Sequence, residues 1–334
     1  MKLPRLLVIG TGGTIAGTAP RADQAQRYTP GVLGVDQLLA AVPALGELAQ
    51  IETASPYAIG SQHLTHAHLD QLIARVRAAQ ADPGVRGVVI THGTDTLEET
   101  ALALDLACPR RVPVVLTGAM RPANALGAEG PVNLHAAAVT ALDPAAQGAG
   151  VMVAFNDQIF DPVRVTKAHT SRTDAFVARH GAPLAEILNG RPRWQTDPVA
   201  QAARRPSLAH ALAGASSPWP QVALMATAID ADPGMVDFLV SRGARALVVA
   251  GTGHGTLADP MRDALAAVAA QGVVVVRASR VAQGPVLRDS GVEDSRYGFV
   301  AAGMLSPHKA RMVIACGLAA GLDREALQAL IDQY

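Results

Sequence analysis

The chain has 334 residues, 49% of them hydrophobic and 17% charged, with 28 basic and 28 acidic side chains in formal balance. That apolar content excludes a disordered chain, and the length favours two domains over one. Zero net charge excludes a bulk field that would recruit nucleic acid or an anionic membrane, and no apolar run is long and charge-free enough to span a bilayer.

Cys108 and Cys316 are isolated and read as two buried thiols, with one disulfide open in principle. Met1-Lys2-Leu3-Pro4-Arg5 leads into a single apolar run, too short for a secretory leader and without a small-residue cleavage site. The expectation is a soluble, cytoplasmic protein. A periplasmic chain already relieved of its leader would read the same.

Leu6-Leu7-Val8-Ile9 predicts a buried strand. Gly10-Thr11-Gly12-Gly13-Thr14-Ile15-Ala16-Gly17 follows it as a loop able to turn tightly and approach a small ligand. Residues 21–31, with Tyr28 among them, are polar and aperiodic and predict a loop long enough to act as a lid. A short helix is predicted over 35–42. Ile59-Gly60-Ser61-Gln62 reads as a turn before a helix over 65–79. Gly87-Val88-Val89-Ile90 predicts a second buried strand, followed by a loop of the same build, Thr91-His92-Gly93-Thr94-Asp95. Thr96 and Glu99 have the spacing of a capping box, so a helix is expected from there to about residue 107. Strands are predicted over 113–117 and 150–155, with a helix over 130–142 between them.

Residues 191–220, rich in Pro, Ala, Arg and Gln, read as an interdomain linker. Beyond it, strands over 222–227, 246–250 and 273–278 alternate with helices over 235–242 and 260–270. Ser306-Pro307 starts a helix to about 320, and Asp323 caps the last one. The alternation predicts an α/β protein with a doubly wound, mostly parallel sheet in residues 1–190, a linker over 191–220 and a second α/β domain over 221–334. In such sheets ligands bind at the carboxyl ends of the strands, where both threonine loops fall.

Other motif readings fail. Gly10-x-Gly12-x-x-Ile15 lacks the third glycine of a dinucleotide fingerprint, and Asp36 is not at a strand end. Gly12-x-x-x-x-Gly17-Thr18 lacks the phosphate-loop lysine, Gly251-Thr252-Gly253-His254-Gly255 fails the same fingerprint test, and no Gly-x-Ser-x-Gly elbow is present. His63-Leu64-Thr65-His66-Ala67-His68 resembles a metal motif, but a polar helix start explains it and no acidic or cysteine cluster adds ligands. No metal is expected. His92 and His254 read as loop histidines bonded to backbone. Taken singly, Thr94 is a helix cap and Lys167 a solvated lysine. Neither reading explains two glycine-flanked threonines at two strand ends. A threonine hydroxyl is a weak nucleophile that needs a base and an oriented partner. Asp95 and Lys167 are the candidates.

Thr11-Gly12-Gly13-Thr14-Ile15-Ala16-Gly17 and Thr91-His92-Gly93-Thr94-Asp95-Thr96-Leu97-Glu98-Glu99-Thr100 resemble the two signature motifs of bacterial-type L-asparaginases. Ile59-Gly60-Ser61-Gln62, Gly118-Ala119-Met120-Arg121-Pro122, Val165-Thr166-Lys167, Ser279-Arg280-Val281 and Tyr297-Gly298-Phe299-Val300 extend the likeness over nearly the whole chain. The resemblance implies a larger N-terminal and a smaller C-terminal domain, and a homotetramer built from intimate dimers. It also implies hydrolysis of an amino-acid side-chain amide to the acid and ammonia without a cofactor. By position it implies Thr14 as primary nucleophile with Tyr28 as its lid partner, and Thr94, Asp95 and Lys167 as a second catalytic group. Gly60, Ser61, Gln62, Thr94, Asp95 and Ala119 become substrate contacts. The chemistry agrees: Asp95 can pair with the ammonium of a free amino acid, Ser61 and helix-start amides with its carboxylate, and amides of the Thr94 loop with the oxyanion. The residues alone leave open which threonine attacks first.

Two positions depart from the pattern. His254 stands where the family has Asn or Ser, and Gly291 where it has a glutamate that reaches the neighbouring subunit's site. If this stretch is extended, side chains repeat every second residue. Glu293 would then point with Gly291, ~7 Å further along, and take over part of the glutamate's role near the substrate ammonium or Tyr28. The expected function is hydrolysis of L-asparagine to L-aspartate and ammonia, with the preference between asparagine and glutamine open. The alternatives are a non-catalytic amino-acid-binding protein of the same fold and the ammonia-supplying subunit of a tRNA amidotransferase. The intact Thr14, Thr94, Asp95 and Lys167 argue against the first. Neutral charge and the lack of an extra basic N-terminal domain argue against the second.

Overall fold

The computed structural model describes residues 3–213 and 219–334. Met1-Lys2 at the start of the chain and residues 214–218 of the expected linker lie outside the described residues. The chain divides into two units, Met1–Arg204 and Arg205–Tyr334.

In the first unit the elements are, in order, β1 (Arg5–Gly10), α1 (Val35–Ala40), α2 (Leu45–Leu48), β2 (Gln50–Ala54), α3 (His66–Ala81), β3 (Val85–Thr91), α4 (Leu97–Ala107), β4 (Val114–Thr117) and α5 (Gly130–Leu142). They continue with β5 (Val151–Phe155), β6 (Gln158–Phe160), β7 (Val165–Lys167), β8 (Phe176–Ala178), β9 (Ala185–Leu188), β10 (Arg191–Trp194) and α6 (Pro198–Ala203). An eight-stranded sheet has the order β10-β9-β6-β5-β4-β3-β1-β2. Its β2-β1-β3-β4-β5 half is parallel. Strands β6, β9 and β10 add to it antiparallel. β7 and β8 pair only with each other, as a separate ribbon.

The central strands read as continuous apolar runs because helices cover both faces. Val88 and Ile90 of β3 pack with Leu72, Val76, Leu97 and Leu104 from α3 and α4. Val89 points the other way, into a layer with Val35, Leu38, Leu134 and Ala137 from α1 and α5. The order 2-1-3-4-5 reverses its winding between β1 and β3, and the crevice at the carboxyl ends of those strands is where such sheets bind ligands. Strand β1 ends at Gly10 and β3 at Thr91, so both threonine loops leave the sheet there, side by side. The Thr11 amide and hydroxyl both donate to Thr91 O, at 3.0 and 2.8 Å.

Several details differ from the sequence reading, which places no element over 45–54, where α2 and β2 form. Residues 191–203, read as the start of a linker, form β10 and α6. The β9–β10 hairpin closes through Asn189-Gly190 with φ of 51° and 70°, the pairing that favours a tight hairpin turn. Pro192 is tolerated because β10 is the edge strand. Thr96 sits at the N-cap of α4, but its hydroxyl donates to Ser61 O at 3.0 Å and closes no capping box. Strands β6 to β8 are three residues each, too short to show a period.

The second unit runs β11 (Val222–Ala226), α7 (Gly234–Ser241), β12 (Ala246–Gly251), α8 (Asp259–Ala270), β13 (Val274–Ser279), α9 (Asp294–Tyr297), β14 (Phe299–Ala301), α10 (Pro307–Ala319) and α11 (Arg324–Ile331). Its four strands are parallel in the order β11-β12-β13-β14, over a core that includes Val236, Leu247, Met261, Leu265 and Phe299. Asp323 accepts the Ala326 amide at 2.9 Å, the cap the sequence predicts for the last helix. Arg277 and Asp294 form a fully buried two-bond ion pair at 2.8 and 2.5 Å. The same guanidinium donates to His254 O and Leu287 O at 2.8 and 2.9 Å, so one arginine ties two loops to β13. Cys108 and Cys316 are both buried and are not joined in a disulfide. Among the described residues, no helix is long and apolar enough to cross a membrane.

Candidate active site

Thr14 heads a single 3-10 turn, Thr14–Ala16, directly after the glycine loop. It is 5% exposed, and its Oγ1 lies 2.7 Å from the Tyr28 hydroxyl, with either atom able to donate. Tyr28 comes from the long polar loop, whose stem is fastened to its surroundings. Thr18 and Thr29 exchange backbone bonds of 3.1 and 3.0 Å, and the Gly31 amide donates to Gly13 O at 3.1 Å. Further out, Asn124 bridges both backbone groups of Ala19 at 2.8 and 2.7 Å.

Two glycines set how close the site loops come. Gly13 has φ +79°, and a Cβ there would lie 2.4 Å from the backbone Cα and N of Gly93. A Cβ on Gly93 would lie 2.7 Å from Ser61 Oγ. The Thr14 and Thr94 loops therefore touch backbone to backbone, and the backbone of Gly93 lies directly on the Ser61 side chain, with no room for a Cβ at either glycine. The Ser61 loop is also laddered onto the glycine loop: Gly13 N donates to Ile59 O at 2.9 Å and Ile59 N to Thr11 O at 3.1 Å.

In the second loop, Lys167 Nζ donates to Thr94 Oγ1 at 2.9 Å and to Asp95 Oδ1 at 2.7 Å. The Lys167 side chain is 19% exposed and that of Asp95 54%, so the carboxylate keeps an open side. Ser61 is buried, and its hydroxyl oxygen accepts the Asp95 and Thr96 amides at 3.2 and 3.4 Å. Its own hydrogen is left to donate elsewhere. With those two amides taken, the Thr94 N–H has no acceptor among the described residues.

His92 is fully buried behind this loop. Its Nδ1 donates to Gly93 O at 2.7 Å, and burial pulls its pKa down to about 4, so the ring is neutral at pH 7. It is a brace for Gly93, in line with the bland reading. The Ala119 methyl belongs to the core, so that residue offers a ligand only its backbone. Glu129, which the sequence reading passed over, accepts the neighbouring Met120 amide, and burial raises its carboxyl above the ordinary range. Gln62 is exposed. His68, from the histidine-rich stretch, accepts from the Thr65 amide and hydroxyl at 3.2 and 2.9 Å and closes the start of α3. Among the described residues no group of three His, Cys, Asp or Glu side chains is arranged to hold a metal.

In the second unit the stretch before Glu293 is not extended. Asp289 and Gly291 have φ of +54° and +79°, so the period of two is broken. Glu293 sits at the N-cap of α9, and its exposed carboxylate accepts from Arg296 at 2.8 Å. His254 bonds Ser290 O through Nδ1 at 3.2 Å and accepts the Leu287 amide on Nε2 at 3.3 Å. It joins its loop to residues 287–290.

The first unit thus holds two hydroxyl centres, Thr14 with a phenol and Thr94 with an ammonium. Beside them are an open carboxylate, a hydroxyl proton and an unused amide. Such a set can bind a small zwitterion and carry out acyl transfer. Residues 5–200 match the family described as "Asparaginase, N-terminal", and residues 221–331 match "Glutaminase/Asparaginase C-terminal domain". L-asparaginase 2 of Escherichia coli (strain K12) is 37% identical over 334 residues, covering 100% of this chain and 94% of that protein. The glutaminase-asparaginase of Acinetobacter glutaminasificans is 36% identical, covering 98% of this chain and 99% of that one. A crystal structure titled as a probable cytoplasmic L-asparaginase from Campylobacter jejuni superposes with a TM-score of 0.91 at 32% identity, over 99% of this chain and 100% of that one. By both halves of its sequence and by its fold, the chain belongs to the asparaginase/glutaminase family.

Proposed function

We propose that this chain hydrolyses the side-chain amide of L-asparagine to give L-aspartate and ammonia. The observation that carries the reading is the pair of hydroxyl centres on loops joined through Gly13 and Gly93. Thr14 Oγ attacks the amide carbon, and its proton passes by way of the Tyr28 hydroxyl towards the departing nitrogen. An O–C bond forms, the C–N bond breaks, and ammonia leaves. Water then adds to the acyl carbon, a proton returns to Thr14, and aspartate is released. Thr14 is the better first nucleophile because Thr94 Oγ1 already spends a lone pair on the Lys167 ammonium. Thr94 and Lys167 then serve proton transfer around the nitrogen and the water, a role that contributes about 10²–10⁴ in rate.

For the substrate's own charges, the open side of Asp95 faces the ammonium and the Ser61 hydroxyl donates to the carboxylate. Gly60, Gln62 and the Ala119 backbone complete the clamp, and the Thr94 amide is offered to the oxyanion. Glu293 is left out of this set, since the chain around Gly291 is not extended and the residue sits at the start of α9.

The name of the Acinetobacter relative favours glutamine as a second substrate. One methylene in a pocket discriminates by about 10–200-fold, so the two amides are to be compared directly. Steady-state ammonia release from each tests the reading, and no release from either would overturn it. A non-catalytic binder and an amidotransferase subunit are not favoured, because the named relatives are hydrolases of free amides. The reading also takes the chain as a cytoplasmic homotetramer of intimate dimers. Light scattering and cell fractionation test assembly and location.

A further inference from the structure

One short segment, residues 94–98, grips Lys167 at both ends. Thr94 and Asp95 accept from its Nζ. Four residues on, Glu98 Oε1 accepts the Lys167 backbone amide at 3.1 Å and the Thr166 hydroxyl at 3.3 Å. Glu98 is 6% exposed and lies in the first turn of α4, where the helix dipole favours a carboxylate. Its charge is felt by the buried Arg179 guanidinium.

The second grip matters because of where Lys167 lies. Strand β7 has three residues and pairs with β8 alone. The ladder of the large sheet therefore does not register Lys167 against the Thr94 loop. A lysine ammonium on a flexible four-carbon stem is placed only as well as its backbone is held. We infer that Glu98 is a positioning residue. Its carboxylate fixes the β7 backbone so that the Lys167 ammonium reaches Thr94 Oγ1. Glu98 acts on the reaction through Lys167 and touches no reacting atom. The inference rests on the function proposed above.

Kinetics of Glu98→Ala, Glu98→Asp and Glu98→Gln in the full chain test it, with Lys167→Met as reference and asparagine as substrate. A displacement of about 1 Å at a catalytic group costs about 10²-fold. Alanine, and aspartate with its shorter reach, are expected to lower kcat by about that factor with KM unchanged. Glutamine keeps an oxygen in place for both donors and is expected to rescue most of the loss. The aspartate variant keeps charge and nearly all the volume, so it reports even where alanine does not fold. Wild-type kcat in Glu98→Asp, beside an inactive Lys167→Met, overturns the inference and leaves the proposed function standing. Parallel losses of kcat and Tm in the aspartate and glutamine variants alike mark a merely structural carboxylate and also overturn it. A fully active Lys167→Met overturns the inference and the role given to Lys167, and leaves asparagine hydrolysis itself standing.

Discussion

Replacing Gly13 by alanine puts a methyl into the contact that brings the two threonine loops together. The added Cβ would lie 2.4 Å from Gly93 Cα and N, against 3.4 Å or more for an ordinary contact. Both obstructing atoms are backbone and cannot rotate aside, so the loops must part by about 1 Å, a misplacement that costs about 10²-fold in rate. Holding alanine at φ +79° with ψ −172°, a region essentially reserved for glycine, adds about 1–3 kcal/mol of strain, and overpacking adds about 1–3 kcal/mol. For a unit of this size each kcal/mol lowers Tm by about 2–4 °C, so the total fall is about 4–24 °C. Ammonia release at saturating asparagine and differential scanning calorimetry read the two effects separately. Gly46→Ala is the control, because a Cβ there meets nothing within 4 Å. It sits in α2, where alanine is the better helix former by about 1 kcal/mol. Wild-type kcat and Tm in Gly13→Ala would refute the argument that direct contact of the loops aligns the site.

Tyr28→Phe removes the only hydroxyl bonded to Thr14 Oγ1 among the described residues. It is expected to lower kcat by about 10²–10⁴ with little change in KM, which steady-state kinetics would show. His92 has its pKa lowered to about 4 from 6.5 by burial. As pH falls, the unfolded chain takes up this proton first. The contribution to stability is therefore full above pH 6.5 and is lost as pH falls towards 4, by about 3 kcal/mol at 1.36 kcal/mol per unit. Urea midpoints at pH 7 and pH 4.5 are expected to show that loss in the wild type and less of it in His92→Gln. Glu293→Gln is expected to leave kcat/KM for asparagine unchanged, because the residue sits exposed at the start of α9 rather than on an extended stretch with Gly291, and its pair with Arg296 carries little energetic weight. A large fall would return Glu293 to the site.

Much of this architecture is legible in the residues. The apolar runs at 6–9 and 87–90, short and rich in β-branched residues, predict buried strands and form them in β1 and β3, and a glycine-flanked threonine loop follows each. What the sequence does not carry is strand order, and the order 2-1-3-4-5 is what makes β1 and β3 neighbours at the reversal. The hairpin at Asn189-Gly190 had its turn signal in plain view, but Pro192 and the arginines around it read as linker because nothing marked β10 as an edge. Glu98 was hidden by its neighbours. In Thr96-Leu97-Glu98-Glu99 the capping-box spacing points to Glu99, while Glu98, at i+4 from Thr94, is the carboxylate that reaches the Lys167 backbone amide. Glu293 does not point with Gly291 because Gly291 takes a positive φ and the chain there is not extended.

The central claim is that Thr14 and Thr94 work as one catalytic unit on an amino-acid amide. A double-mutant cycle tests it most directly, with kcat for ammonia release from asparagine measured for wild type, Thr14→Ala, Thr94→Ala and the double variant. Residues that act as a unit are strongly non-additive. The account predicts that each single variant loses about 10³-fold or more and that the double is no worse than the poorer single. Single variants that keep near wild-type turnover, or losses that simply multiply in the double, would contradict it.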